Sequence, residues 1–112
     1  MGEGPENWVT VAARSALAPD SVVGVKVGEQ DVALYRVGDQ FYATDDICPH
    51  AYARLSGGWL EDDIIECPLH AGRFEIKTGK RIDGPVECDI KTFAVRVVGD
   101  DIQIALTGPE TQ

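Results

Sequence analysis

The chain has 112 residues, 44% hydrophobic and 26% charged, proportions that fit one globular domain burying roughly two-thirds of its unfolded surface. Nineteen acidic against ten basic residues leave a formal charge of −9, which argues against a nucleic-acid or anionic-membrane partner but permits docking on a basic protein surface. No run approaches the roughly 20 apolar residues of a membrane helix, and the opening MGEGPENW lacks the basic-then-apolar pattern of a secretory leader.

From the N-terminus onward, short strand-like runs alternate with turn signals about every ten residues, the rhythm of a small all-β sandwich or barrel. Asn7–Ala13 is the first candidate strand, and Ala13–Ala18 has room for a single helical turn. Ser21–Val27 and Asp31–Val37 form a hairpin across Gly28-Glu29-Gln30, and Gln40–Thr44 follows the Gly38-Asp39 turn. From about 45 to 80 the character changes, with only short strands such as Ile64–Cys67 and Arg73–Ile76 before the turn Lys77–Lys80. Thr92–Val98 and Asp101–Leu106 alternate apolar and polar residues around Gly99-Asp100, a hairpin signal. The expected organisation is a single domain over residues 1–112. Its β-framework comes from the first and last thirds, a smaller subdomain spans about 45–80, and tails occupy 1–6 and 107–112.

The middle segment holds both histidines of the chain and two of its three cysteines. Cys48-Pro49-His50 is a C-x-H clip, and Cys67-Pro68-Leu69-His70 is a C-x-x-H clip. Thiolate and imidazole are the donors that select zinc, copper or iron–sulfur centres, and a proline inside each clip stiffens it. Three readings stand side by side. The residues are unrelated core cysteines and surface histidines; or they form a structural Cys2His2 zinc site; or they bind a [2Fe–2S] cluster with two cysteines on one iron and two histidines on the other. Mixed donors in both clips suit the last, because each loop then sends one residue to each iron. The opening without a leader pattern favours a reducing, cytoplasmic location, and an odd number of cysteines makes a disulfide scaffold unexpected.

The stretch Cys48–Lys80, with its C-x-H and C-x-x-H clips, resembles the Rieske motif. From about Asn7 to Leu106, segments such as DVALY, YATDDIC, IECPLH and IKTFAVRV resemble the small Rieske ferredoxins of bacterial aromatic-ring-hydroxylating dioxygenase systems, nearest the naphthalene-dioxygenase type. The resemblance implies an all-β Rieske fold, an antiparallel sandwich or barrel framework with a smaller cluster-binding subdomain. It implies one [2Fe–2S] cluster ligated by Cys48, His50, Cys67 and His70. It also implies the role of an electron carrier, not an enzyme, between an NADH-dependent flavoprotein reductase and a terminal oxygenase.

The same resemblance places the histidines at an exposed tip, with Pro49, Ala51, Leu69, Ala71 and Pro85 forming a docking face around them. Quinol-oxidising Rieske proteins carry a loop-bridging disulfide where this chain has Ala53 and Leu69, and potential-raising hydroxyls where it has Gly72 and Phe74. Their absence implies a low-potential centre, at about −150 mV near the bottom of the Rieske range. With both histidines committed to a cluster, none is left for the mononuclear iron site of an oxygenase. No G-x-G-x-x-G follows a strand, so no nucleotide-binding reductase domain is indicated either. The alternatives are a small Rieske subunit of another oxidoreductase, of the nitrite-reductase type, and the zinc-stabilised domain.

Four further expectations concern particular residues. Cys88 reads as a small buried hydrophobe in a strand. Trp8 and Trp59 read as core aromatics, and Glu61-Asp62-Asp63 as a solvated hairpin turn. Gly57, Gly58 and Gly79 read as turn glycines.

Overall fold

A computed structural model describes residues 8–48, 53–68, 72–83 and 89–105 of the chain. Ten strands dominate it: β1 (Trp8–Ala13), β2 (Ser21–Val27), β3 (Gln30–Val37), β4 (Gln40–Asp45), β5 (Trp59–Glu61), β6 (Ile64–Glu66), β7 (Arg73–Glu75), β8 (Arg81–Asp83), β9 (Thr92–Val98) and β10 (Asp101–Ala105). The only helical pieces among the described residues are two short 3-10 turns, Arg14–Ala16 and Leu55–Gly57. The expected all-β class is the observed one.

Six strands form one antiparallel sheet in the order β1-β10-β9-β4-β3-β2, and β1 also packs near β2, so the sheet curls toward a barrel. Three of its hairpins turn on Gly28, Gly38 and Gly99, whose φ values of 62°, 61° and 63° belong to the left-handed region glycine reaches without strain. A second antiparallel sheet, β5-β6-β7-β8, is built from strands of three residues each.

β3 explains how the two sheets fit together. Successive side chains of a strand point to opposite faces, yet Val32, Ala33, Leu34 and Tyr35 are all buried. Val32 and Leu34 face the barrel interior with Leu17, Val27, Ala43, Phe93, Ile102 and Ile104. Ala33 and Tyr35 face the other way, into a second core with Leu55, Ile65, Phe74, Ile76 and Ile90. The strand is therefore a partition with a core on either side, which is why its centre, Val32–Tyr35, is an unbroken apolar run.

Both tryptophans depart from expectation. β5 is an edge strand, and alternation turns Leu60 inward and Trp59 outward with Glu61, leaving Trp59 60% exposed. Trp8, on edge strand β1, is half-buried, its ring covered by the Arg96 guanidinium at 4.3 Å from the centroid. Val97 and Val98, at the far end of β9, are also exposed despite the alternation there. The acidic stretch is a hairpin turn as expected, with Asp62 at φ 56° and Asp63 close to Lys77.

Candidate metal centre

Cys48 comes three residues after the end of the barrel strand β4, and Cys67 directly follows β6 of the small sheet. Each opens a loop closed in the same manner. The Cys48 amide donates to the Ala53 carbonyl at 2.7 Å, and the Cys67 amide donates to the Gly72 carbonyl at 2.8 Å. From 48 to 53 and from 67 to 72 the spacing is identical, so the two clips are built on stems of equal length, although their histidines sit at different offsets from the cysteines. The first stem continues downward through the Ile47–Arg54 bridge and a bond from the Leu55 amide to the Asp46 carbonyl. The second continues into the Glu66–Arg73 pair of β6 and β7.

Both cysteines are fully buried and belong to the second core, the one walled by Tyr35, Leu55, Ile65 and Phe74. Two loops arriving from different sheets thus deliver two sulfur donors to one apolar chamber. Such a chamber suits a metal or iron–sulfur group. A buried thiolate is costly by itself, whereas metal binding deprotonates the thiol and neutralises it in place. The donor chemistry, soft sulfur with imidazole four residues or fewer away in sequence, fits the group suggested by the sequence.

His50 and His70 lie outside the described residues, as do Pro49, Ala51, Leu69, Ala71, Pro85 and Cys88. Among the described residues no three His, Cys, Asp or Glu side chains gather in the way a metal ion needs. Ala53 and Phe74, at two of the positions that distinguish the high-potential Rieske proteins, both pack into the second core, Phe74 with no exposure.

Sequence reasoning missed a polar clasp at the foot of the first stem. Asp46 is 1% exposed. Its Oδ1 accepts the Ser56 amide at 2.8 Å, and its Oδ2 accepts the Ser56 hydroxyl and Arg54 Nη1, each at 3.1 Å. Arg54 also reaches Asp31 at 3.2 Å. Asp31 first, then Asp46, push the Arg54 guanidinium further up from its ordinary value. The available signal was an acid just before one clip and an arginine and serine just after it. Nothing in the spacing says that they meet.

The family model described as "Rieske [2Fe-2S] domain" matches residues 7–94. A ferredoxin component of naphthalene 1,2-dioxygenase/salicylate 5-hydroxylase systems from Ralstonia sp is 47% identical over 92 residues, covering 82% of this chain and 88% of that protein. The ferredoxin component of a Pseudomonas aeruginosa naphthalene 1,2-dioxygenase system is 42% identical, covering 91% of this chain and 98% of the relative. Among solved structures, a chain in a complex of reduced oxygenase and oxidised ferredoxin in carbazole 1,9a-dioxygenase superposes with a TM-score of 0.83 at 42% identity, covering 88% of this chain and 92% of that one.

Proposed function

The chain belongs to the Rieske [2Fe–2S] domain family, and on that footing we propose that it is a ferredoxin component of an aromatic-ring-hydroxylating dioxygenase system. When bound, a Rieske cluster takes up and releases one electron at a time. Cys48, His50, Cys67 and His70 hold it. The paired sulfurs do so from inside the second core, where Tyr35, Leu55, Ile65 and Phe74 exclude water from them. The segment from about 45 to 80 acts as the cluster-holding unit of a single domain. The observation that carries the reading is the matched pair of stems, each opening on a fully buried cysteine and closed by the same backbone bond.

In this reading the partners are an NADH-dependent flavoprotein reductase, which supplies the electron, and a terminal oxygenase, which receives it. Support for the second comes from the similarity to the ferredoxin of the oxygenase complex. Docking uses His50 and His70 with Pro49, Ala51, Leu69, Ala71 and Pro85 around them. A small apolar rim is enough for a transient electron-transfer contact. The acidic net charge favours basic partner surfaces, and the cytoplasm, where thiols stay reduced, is the compartment that suits the cysteines.

The test is reconstitution with NADH, a flavoprotein reductase and the oxygenase of such a system. Aromatic hydroxylation that depends on added chain, saturably, is the expected result. Equal hydroxylation with and without it, using protein shown to contain iron and acid-labile sulfide, overturns the assignment.

A further inference from the structure

We propose that Asp46 is a positioning residue for the Cys48 loop and that its buried charge, offset by Arg54, holds down the reduction potential of the group that Cys48 ligates. The inference rests on the ligand assignment above. Asp46 stands two residues before Cys48, and every side of it is used. Its amide donates to the Asp31 carbonyl at 3.1 Å, its carbonyl accepts the Leu55 amide at 2.6 Å, and its carboxylate takes the three bonds from Ser56 and Arg54. The β2 backbone closes over this clasp at Gly24, where a Cβ would come within 2.9 Å of Ser56 Oγ and 3.0 Å of Asp46 Oδ2. A side chain there would press the clasp open.

A carboxylate is a poor choice if the position serves packing alone. The stem is already tied by backbone bonds on both sides of Ile47, and well-packed apolar residues often stabilise such a site as well as a buried ion pair does. What the carboxylate adds is a fixed negative charge in a place where solvent screens it little. One electron entering the site adds a second negative charge nearby, and the two repel. Arg54 opposes this, but it is shared with Asp31 at 3.2 Å, and its side chain is 57% exposed against 1% for Asp46. Its field is therefore screened more strongly by water and salt, and the clasp acts as a net negative charge.

Potentials are measured by spectroscopic redox titration on purified, loaded protein, with iron and sulfide content and the reduced-state EPR signal recorded for each variant. Asp46→Asn is expected to raise the potential. Arg54→Gln is expected to lower it and Arg54→Lys to leave it near wild type. The Arg54→Gln shift should shrink in high salt while the Asp46→Asn shift persists. Asp46→Asn with a full cluster and an unchanged potential overturns the proposal, and so do shifts of the same sign in Asp46→Asn and Arg54→Gln. Should Asp46→Asn fail to fold, the two Arg54 variants decide between them, and equal potentials in glutamine and lysine forms sink the idea. Wild-type protein without iron, or Cys48→Ser with a full cluster, instead refutes the underlying ligand assignment and leaves a different signature.

Discussion

The hydroxyls of Tyr35 and Thr44 lie 2.8 Å apart in the core, with neither residue exposed. Thr44 Oγ1 also donates its one proton to the Asp45 carbonyl at 2.9 Å, so the Tyr35 hydroxyl is the donor of the pair. Tyr35→Phe removes a buried bond and leaves an oxygen that still has its own use, at an expected cost of about 1 kcal/mol. Thr44→Val strands the phenol without an acceptor and is expected to cost about 2–3 kcal/mol. Urea unfolding of the two variants gives the order directly.

Burial pushes the Tyr35 phenol far above its ordinary range. A folded-state value raised above the unfolded one means stability that is intact below about pH 10 and lost as the unfolded chain ionises above it. Wild type should therefore lose up to about 1.4 kcal/mol more per pH unit above pH 10 than Tyr35→Phe does. Denaturant midpoints at pH 9, 10 and 11 check the difference. Parallel curves for the two proteins would contradict it.

Three glycines near the clips separate sharply. A Cβ on Gly58 would run into the Glu66 carbonyl, and one on Gly79 into the Ile90 carbonyl, Gly79 having in addition a φ of 81°. Backbone cannot step aside as a flexible side chain can. Alanine at either position is expected to cost about 2–4 kcal/mol. Gly57 has open space where its Cβ would lie, and Gly57→Ala should stay within about 0.5 kcal/mol of wild type. Thermal melts of the three variants side by side are the measurement.

Cys48→Ser, Cys67→Ser, His50→Ala and His70→Ala should each bring iron and acid-labile sulfide to background and abolish the reduced EPR signal of a Rieske centre. A normal signal in any of the four removes that residue from the ligand set. Loss of the signal in Trp59→Ser would be unexpected, since that side chain points away from the second core, and its stability should match wild type to about 0.5 kcal/mol.

Much of the framework could be read from the chain. The glycines at 28, 38 and 99 mark hairpins because few other residues enter those turns without strain, and the unbroken apolar run of β3 announces burial on both faces. β5 and β8 were not legible. Three residues are too few to show a period, and each strand exists only because a neighbour pairs with it. Trp59, expected among the core aromatics, is 60% exposed, and three residues show no alternation that would tell its face. The clips stood out because rare residue types cluster there. The Asp31–Arg54–Asp46 clasp did not, because its members are common residues joined across a loop and across strands, and only the fold brings them together.

One sulfur hangs from the barrel and the other from the small sheet, whose strands are three residues long. On the proposed ligand assignment, a group held by both sulfurs rivets the small sheet to the barrel, adding to the apolar packing of Ile65, Phe74 and Ile76 against Tyr35. A chain without that group is expected to keep its barrel and to open first at the small sheet, which is where limited proteolysis should cut it.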